Sequence, residues 1–565
     1  MIGPVGMENH VKQIKVMYVF HFNGAFLGGA AQSLLDMLDG LGSRIEPVLV
    51  IGEEAQLDEL LVSRGIRYYK MFLPNDVVKI GCVNDKEIEK DLYFSYKAAK
   101  KLAAIIRKEK IELMHINSSV GKVGAIAALM TQIPYIWHIR ELVEEQFGME
   151  FINIDLKRDL FYRAARLVVI SDFVHEIFEQ KIQLKSEKIY NGFRVERFKQ
   201  NKSENQMYYP VFLAAAMISP GKGQWDAVKA VELMLKEGYE NVRLILAGHG
   251  EAGYIWALKK YIKKNGLEKQ VQILPYQKDL SRLRKEAFYA ITCSQNEALG
   301  RVTVEAMLAG NIVIGARSGG TLEIIGRHEE RGFLYQLNDS QSLAEAMIRA
   351  MRRSSADKDQ LLRKAQEYAE HTFGLEQYCR KILNLYDKVL RKPWVWQRDR
   401  LLRDLEKTHS EIGNLQVYEK NTNVEQTKKA VERNTLLLRW SEMNQKGLSF
   451  ETYFKARGIE KIAIYGMGEL GRRLYDELEN SGIRVSHILD RNPGNMKSIL
   501  DFTPLDGQKM QVDMIVVTVI RAEYILRNLR DRGYEQVIDL TELLEELERL
   551  KNGTEKVFVY STGSR

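Results

Sequence analysis

Two tandem series of short apolar runs, each run separated from the next by an amphipathic helical stretch, constrain this chain more than any other feature. From Ile14 to about Gly192 the runs are IKVMYVF, EPVLVI, LMHIN, PYIWHI and LVVIS. From Tyr209 to about Gln336 they are PVFLAAAMI, VRLILAG, VQILPY, YAITCS, NIVIGA and GFLYQ. Such alternation predicts parallel sheets with helices on both faces. Two doubly wound domains in tandem leave a cleft between the C-terminal edges of their strands, and ligands bind there in sheets of this kind.

Size agrees with more than two such units. At 565 residues the chain is too long for one core, and about 150 residues per domain predicts three or four. The expected division is 1–200, 205–372, a helical spacer over 393–447, a third α/β unit over 448–550 and a tail over 551–565. For the polar, charged spacer a weak coiled coil and a partly disordered linker are both open. The longest apolar stretches, such as GAIAALM, fall far short of a membrane span, and MIGPVGMENHVKQ lacks the apolar core of a signal peptide. Cys82, Cys293 and Cys379 are widely spaced, which predicts neither a disulfide framework nor a zinc site and points to a reducing cytosol. The net charge of +8 predicts attraction to anionic surfaces, and by itself does not choose between nucleic acid and a membrane face. No nucleic-acid-binding module or aromatic platform accompanies it, so a nucleic-acid partner is not expected.

The third unit reads KIAIYGMGELGRRLYDELENSGIRVSHILDRN. Gly466, Gly468 and Gly471 make a complete GxGxxG between a strand and a helix, and Asp490 ends the next strand 19 residues later. By the fingerprint rule this binds NAD or another nucleotide. About 100 residues leave no room for a separate substrate domain, which disfavours a dehydrogenase. A nucleotide site and a degenerate structural module both remain open.

Chemistry concentrates in SQNEALGRVTVEAMLAGNIVIGARSGG, from Ser294 to Gly320. Glu297 falls in the turn after a strand, and Glu305 lies eight positions later on a helix that opens near Gly300. Free N–H groups at such a helix start attract phosphate. Carboxylates do not bind a diphosphate directly, but they accept hydrogen bonds from sugar hydroxyls on either side of it. A nucleotide sugar has that layout of ribose, diphosphate and hexose. The plain alternative is an ordinary βα unit with two surface glutamates.

The segment resembles the retaining glycosyltransferases of family 4, which have the GT-B fold and a Glu-x7-Glu signature followed by a small-residue turn and a Gly-Gly loop. Glu297, Gly300, Glu305, Ala306, Gly310, Gly319, Gly320 and Glu323 carry the resemblance. It implies an α/β GT-B architecture, two Rossmann-like doubly wound domains facing a cleft, with a helix over 375–392 crossing back onto the first. The unit over 448–550 resembles a Rossmann-like module appended to bacterial cell-surface sugar transferases and to some methyltransferases.

The resemblance also implies roles. In MISPGKGQWDAVKA, Lys222 and Gly223 match the end of a Gly-Arg-Leu-x-x-x-Lys-Gly loop whose cations grip the diphosphate. Ala216 and Met217 stand where that pattern has Gly and Arg, which puts one cation in doubt; Arg301 is the candidate replacement. Gly28 and Gly29 match the first-domain glycine loop, His138 the histidine beside the transferred sugar, and Ser171, Asn191 and Gly192 further landmarks at the cleft. Glu297 would hold hexose hydroxyls and Glu305 the ribose, with Lys222, the Gly300 helix start and N–H groups near Gly29 stabilising the leaving diphosphate. Transfer would retain anomeric configuration. No Asp-x-Asp metal motif is visible near these segments, which suits a transferase that uses fixed cations and amides, so neither a metal nor another cofactor is required; the expected donor is a UDP- or GDP-sugar.

The acceptor is read less directly. SYKAAKKLAAIIRKEK, Ser95 to Lys110, is a basic amphipathic stretch. It is either a solvated face or a docking surface on an anionic membrane near a lipid-linked acceptor, worth about 1 kcal/mol per cation. The expected activity is sugar transfer to a growing cell-surface glycan of capsule, exopolysaccharide or O-antigen type, by a protein in the cytoplasm or peripheral on the inner membrane face. The alternatives are a GT-B nucleotide-sugar epimerase and a non-catalytic assembly subunit. Met217 favours the subunit, and the presence of Lys222, Glu297 and Glu305 together opposes it.

Overall fold

The computed structural model describes residues 13–21, 28–200, 210–392, 400–411, 416–479, 481–490, 502–504 and 509–551. They form two compact units, Met1–Gly250 with Asn265–Gly413, and Glu251–Lys264 with Asn414–Arg565.

The first unit holds two parallel sheets. Strands β1 (Ile14–Val19), β2 (Ile45–Gly52), β3 (Arg67–Met71), β5 (Leu113–Ile116), β6 (Tyr135–Ile139), β8 (Arg166–Val169) and β9 (Glu187–Lys188) run in the order β3-β2-β1-β5-β6-β8-β9. A small antiparallel pair, β4 (Val77–Lys79) with β7 (Met149–Phe151), lies beside it. The second sheet comprises β10 (Val211–Ala215), β11 (Arg243–Ala247), β12 (Val271–Leu274), β13 (Tyr289–Thr292), β14 (Ile312–Ala316) and β15 (Phe333–Tyr335), ordered β12-β11-β10-β13-β14-β15. In each sheet the chain winds outward from the first strand and then returns to its other side. The switch points, β1 beside β5 and β10 beside β13, put the loops after Val19, Ala215 and Thr292 where such folds bind ligands.

The helix Leu375–Arg391 returns to the first sheet. Tyr378, Cys379, Ile382, Leu385, Tyr386 and Val389 enter the same cluster as Leu34, Leu38 and Leu41 of the Gly29–Leu41 helix. At about 1.5–3 kcal/mol per buried apolar side chain, this helix is part of the first-domain core. Tyr386 adds polar anchoring, with its hydroxyl 3.0 Å from that of Tyr18 and 2.7 Å from His115 Nδ1.

Part of the segment read as a spacer is packed. In the helix Arg400–Glu411, Leu401, Leu402 and Leu405 lie against the first-domain core, and the His409 ring stacks on Tyr93 at 4.8 Å. Tyr93 belongs to Asp85–Glu109, the helix that carries the basic stretch. Its Lys97 and Lys100 lie close enough that, together with burial, they lower the His409 pKa. The chain itself therefore covers part of the stretch read as a membrane-docking face, while Lys100, Lys101, Arg107, Lys108 and Lys110 remain exposed.

The second unit has a parallel sheet ordered β17-β16-β18-β19, from β16 (Lys461–Tyr465), β17 (Arg484–Leu489), β18 (Met514–Val517) and β19 (Val537–Asp539). Its core takes Leu436, Trp440 and Met443 from the helix Gln416–Gln445. The later half of that helix is thus built into the module, and Trp440 Nε1 donates to Glu477 at 2.7 Å. The helix Ala252–Lys264 groups with this unit through Trp256, which donates to Asp476 at 2.9 Å, and Lys260, 2.7 Å from Asp476 and Glu479. The tail from Gly553 lies outside the described residues.

Candidate active site

The loops that leave β10 and β13 bring Lys222 and Glu297 together. Lys222 ends a 3-10 turn, Pro220–Lys222, and Gly223 follows with φ +64°. A β-carbon on Gly223 would come within 2.3 Å of the Cys293 carbonyl oxygen, so only glycine lets this loop lie on the end of β13. The result is a salt bridge of 2.7 Å from Lys222 Nζ to Glu297 Oε2. Burial raises the Glu297 carboxyl, but the lysine outweighs it and holds the group below its ordinary value. The Gly-Gly loop fixes the other side: Gly320 N–H donates to Glu297 O at 2.7 Å, and a β-carbon at Gly320 would strike Leu299 backbone at 2.5 Å.

Gly300 has φ +93° and caps the helix Arg301–Leu308. Glu305, one turn in, pairs with Arg284 and lies 3.4 Å from Arg301. Burial raises its carboxyl, and the two guanidiniums more than offset that, leaving it ionised. Arg301 points toward the first domain. Its guanidinium donates to Ser33 Oγ at 2.7 Å and Asp36 at 3.1 Å, and stacks 4.3 Å over Phe193. Met217, where the resembled pattern has its second cation, is 41% exposed. The Arg301 Cδ would lie 3.2 Å from a β-carbon on Gly29, so the Gly28–Gly29 turn and the Gly300 helix start face one another.

Other contacts join the two sheets' loops. Ser171 Oγ donates to Ala298 O and caps its own helix through Val174 N–H. Glu323 accepts from Asp172 N–H at 2.9 Å. Asn296 Nδ2 donates to Glu145 O at 3.0 Å.

His138 is not brought to this group. It is fully buried within β6, with Nδ1 3.2 Å from His115 Nε2, and among the described residues Nε2 has no partner. Burial first, then Arg140 and His115, hold its pKa well below the ordinary value, so it is neutral. Its ring has no exposed surface in this arrangement. Position along the strand separates it from Arg140: His138 lies inside β6, whereas Arg140, two residues on and so on the same side, follows the strand's end at Ile139. It donates to Asn117 at 2.8 Å, Asn191 at 2.5 Å and Tyr378 at 3.2 Å. Sequence reasoning also missed Arg284 and Asp36. Arg284 sits in SRLRKE, which reads as a solvated basic turn, yet its side chain is 7% exposed. The acid at Asp36, on the largely apolar buried side of the Gly29–Leu41 helix beside Ser33, was a usable signal.

In the second unit Gly466 follows β16, Gly468 caps the helix Glu469–Leu478, and Gly471 lies in that helix, where a β-carbon would come within 1.9 Å of the Gly466 carbonyl oxygen. Asp490, at the end of β17, accepts from Met467 N–H at 2.6 Å. A carboxylate thus occupies one donor of the glycine loop. Among the described residues no group of His, Cys, Asp and Glu could hold a metal ion, and no helix is long and apolar enough to cross a membrane.

Comparison with known proteins agrees with the fold. Residues 27–197 match the family described as Glycosyltransferase Family 4, and residues 195–372 that described as Glycosyl transferases group 1. Spore coat protein SA of Bacillus subtilis (strain 168) is 21% identical over 336 residues, covering 55% of this chain and 86% of that protein. N-acetyl-alpha-D-glucosaminyl L-malate synthase of Bacillus anthracis is 22% identical over 310 residues, covering 52% and 79%. Anabaena Alr3699/HepE, solved in complex with UDP and glucose, has a TM-score of 0.55 at 22% identity, covering 66% of this chain and all (100%) of that one. S. aureus TarM, solved with Fondaparinux, alpha-GlcNAc-glycerol and UDP, has a TM-score of 0.53 at 12% identity, covering 66% and 100%. With two switch-point sheets, a returning helix and family matches that together run from residue 27 to 372, the chain belongs to the family-4 glycosyltransferases of GT-B fold.

Proposed function

We propose that the protein transfers a sugar from a UDP- or GDP-sugar to a growing cell-surface glycan, with retention at the anomeric carbon. The observation that carries this reading is the Lys222–Glu297 pair at the switch point of the second sheet, 2.7 Å apart. Lys222 supplies the cation for the leaving diphosphate, with N–H groups at the Gly29 and Gly300 helix starts. Glu297, ionised and fixed by the Gly-Gly loop, accepts from hexose hydroxyls. Glu305, neutralised by Arg284 and Arg301, takes the ribose once those arginines share it. Arg301 acts by holding the Glu305 helix against Ser33 and Asp36 of the first domain. The leaving diphosphate helps to deprotonate the incoming hydroxyl, so the protein positions groups and stabilises charge. HepE was solved with UDP and glucose, which supports a nucleotide-sugar donor.

The acceptor in this reading is lipid-linked and is met at the inner membrane face, with Lys100, Lys101, Arg107, Lys108 and Lys110 as exposed cations for such contact. The glycine loop of the second unit serves as a structural turn, because Asp490 takes the place at Met467 N–H that a nucleotide phosphate or NAD pyrophosphate needs. Met217 favours a second reading, a non-catalytic subunit.

Nucleoside diphosphate release, measured over a panel of UDP- and GDP-sugars with and without glycan acceptor, tests the proposal. Acceptor-dependent release is expected. Interconversion of the donor sugar without an acceptor would indicate an epimerase, and donor binding without turnover under any acceptor would indicate the subunit.

A further inference from the structure

The first domain contains a cavity of about 300 Å³ that the donor chemistry does not use. Its walls come from the segment after β6, from β7 and from the helices Ile154–Arg163 and Asp172–Ile182. Val143, Phe151, Phe161, Ile177 and Phe178 make most of the surface apolar. A single water claims about 30 Å³ of liquid and needs two to four polar partners, so walls of this kind do not suit a filling of ordered water. The volume falls at the lower end of small-molecule sites.

Two polar residues stand in the lining where it meets the end of β6. Ser119 is one, and Glu141 is the other. Glu141 Oε1 accepts from Ser118 Oγ and from Ser119 N–H at 2.6 Å, which fixes the carboxylate. Among the described residues no hydrogen bond reaches its Oε2. Burial raises its pKa, so it attracts a donor hydroxyl more strongly than an exposed glutamate does. On the solvent side Lys181 pairs with both Glu144 and Glu145.

The location ties the cavity to the donor loops. Its Val143–Phe147 helix is held from outside by Asn296, next to Glu297, through the bond to Glu145 O at 3.0 Å. Gly221, next to Lys222, approaches the same helix, since its β-carbon would lie 3.9 Å from Gln146 O. One short helix therefore separates an apolar cavity with a fixed carboxylate from the pair assigned to the donor.

We propose that this cavity seats an acceptor with an apolar body and a hydroxylated head, the body among Val143, Phe151, Phe161, Ile177 and Phe178, and a head hydroxyl donating to Glu141. The inference rests on the nucleotide-sugar reading above and gives its acceptor a place and a chemical class.

Octyl β-D-glucoside below its micelle-forming concentration, with methyl β-D-glucoside as the head-only control, probes this by thermal shift on the full chain. The octyl compound is expected to raise the melting temperature where the methyl compound does not. Ile154→Trp changes a cavity residue that is 40% exposed, so folding is retained while the bulk enters the cavity. It is expected to raise the octyl glucoside concentration needed at least tenfold, and Glu141→Gln is expected to weaken the response severalfold. No stabilisation by octyl glucoside, equal stabilisation by both glucosides, or a response unchanged in both variants overturns the cavity's role. The donor panel is run on the same samples: failure of every nucleotide sugar to bind removes the donor reading, whereas donor binding with no octyl response removes only the cavity.

Discussion

Lys222 and Glu297 form an ion pair 2.7 Å long between loops that leave adjacent strands of the second sheet, β10 and β13. The pair is partly shielded, its side chains 26% and 16% exposed. Lys222 therefore keeps the Glu297 carboxylate ionised, and each partner orients the other before a ligand arrives, which reduces reorganisation during reaction.

Glu297→Gln keeps the shape and removes the charge. Losing a charge-assisted hydrogen bond to a sugar hydroxyl costs about 1.5–3 kcal/mol, or roughly ten- to 150-fold in kcat/KM. Steady-state nucleotide release is expected to fall by that much or more, with an unchanged circular dichroism spectrum. Near-normal turnover would remove Glu297 from the mechanism.

Met217→Arg restores the second cation of the diphosphate loop. Met217 is 41% exposed, so the change has no core to disturb. A gained phosphate contact of about 1.5–3 kcal/mol predicts a donor KM lower by tenfold or more. An unchanged KM would mean that the loop does not touch the diphosphate at this position.

Arg301 and Asp36 tie the second domain to the first, with side chains 11% and 10% exposed. Arg301→Ala and Asp36→Ala are each expected to lower stability by about 1–3 kcal/mol, and the double variant by less than the sum. Denaturant unfolding of the four proteins measures the coupling. Additive effects would show that the contact seen here does not stabilise the fold.

Glu305 gives a pH signature. Arg284 and Arg301 hold its folded pKa below the ordinary 4.5. The stability they provide is complete above that value and is lost as pH falls through the folded pKa. Between about pH 5 and pH 3 the wild-type melting temperature should fall more steeply than that of Glu305→Gln. Parallel curves would mean that the carboxylate is not paired in solution.

The tandem series of apolar runs made the two large sheets legible, because every run named in the sequence became a strand. Arg67–Met71 escaped, since RYYKM interrupts its apolar side chains with charge on an edge strand that needs only one covered face. Glu297, Glu305 and Lys222 were legible because local loop geometry places them. Arg284, Asp36 and Arg140 were not, since their burial depends on elements far away in sequence. His138 lies inside β6 and is fully buried, whereas Arg140, two residues on and on the same side of the strand, falls past its end. In the segment read as a spacer, surface charge hid Leu405, Leu436 and Trp440, which are core residues, and Leu401, which packs against the core.

Titration calorimetry of the UDP- and GDP-sugar panel into the wild type and Lys222→Ala tests the central claim most directly. At least one donor should bind the wild type, and the lysine variant should bind it ten- to 150-fold more weakly, the equivalent of about 1.5–3 kcal/mol. Equal affinity in the two proteins, or no binding of any donor to the wild type, would contradict the account.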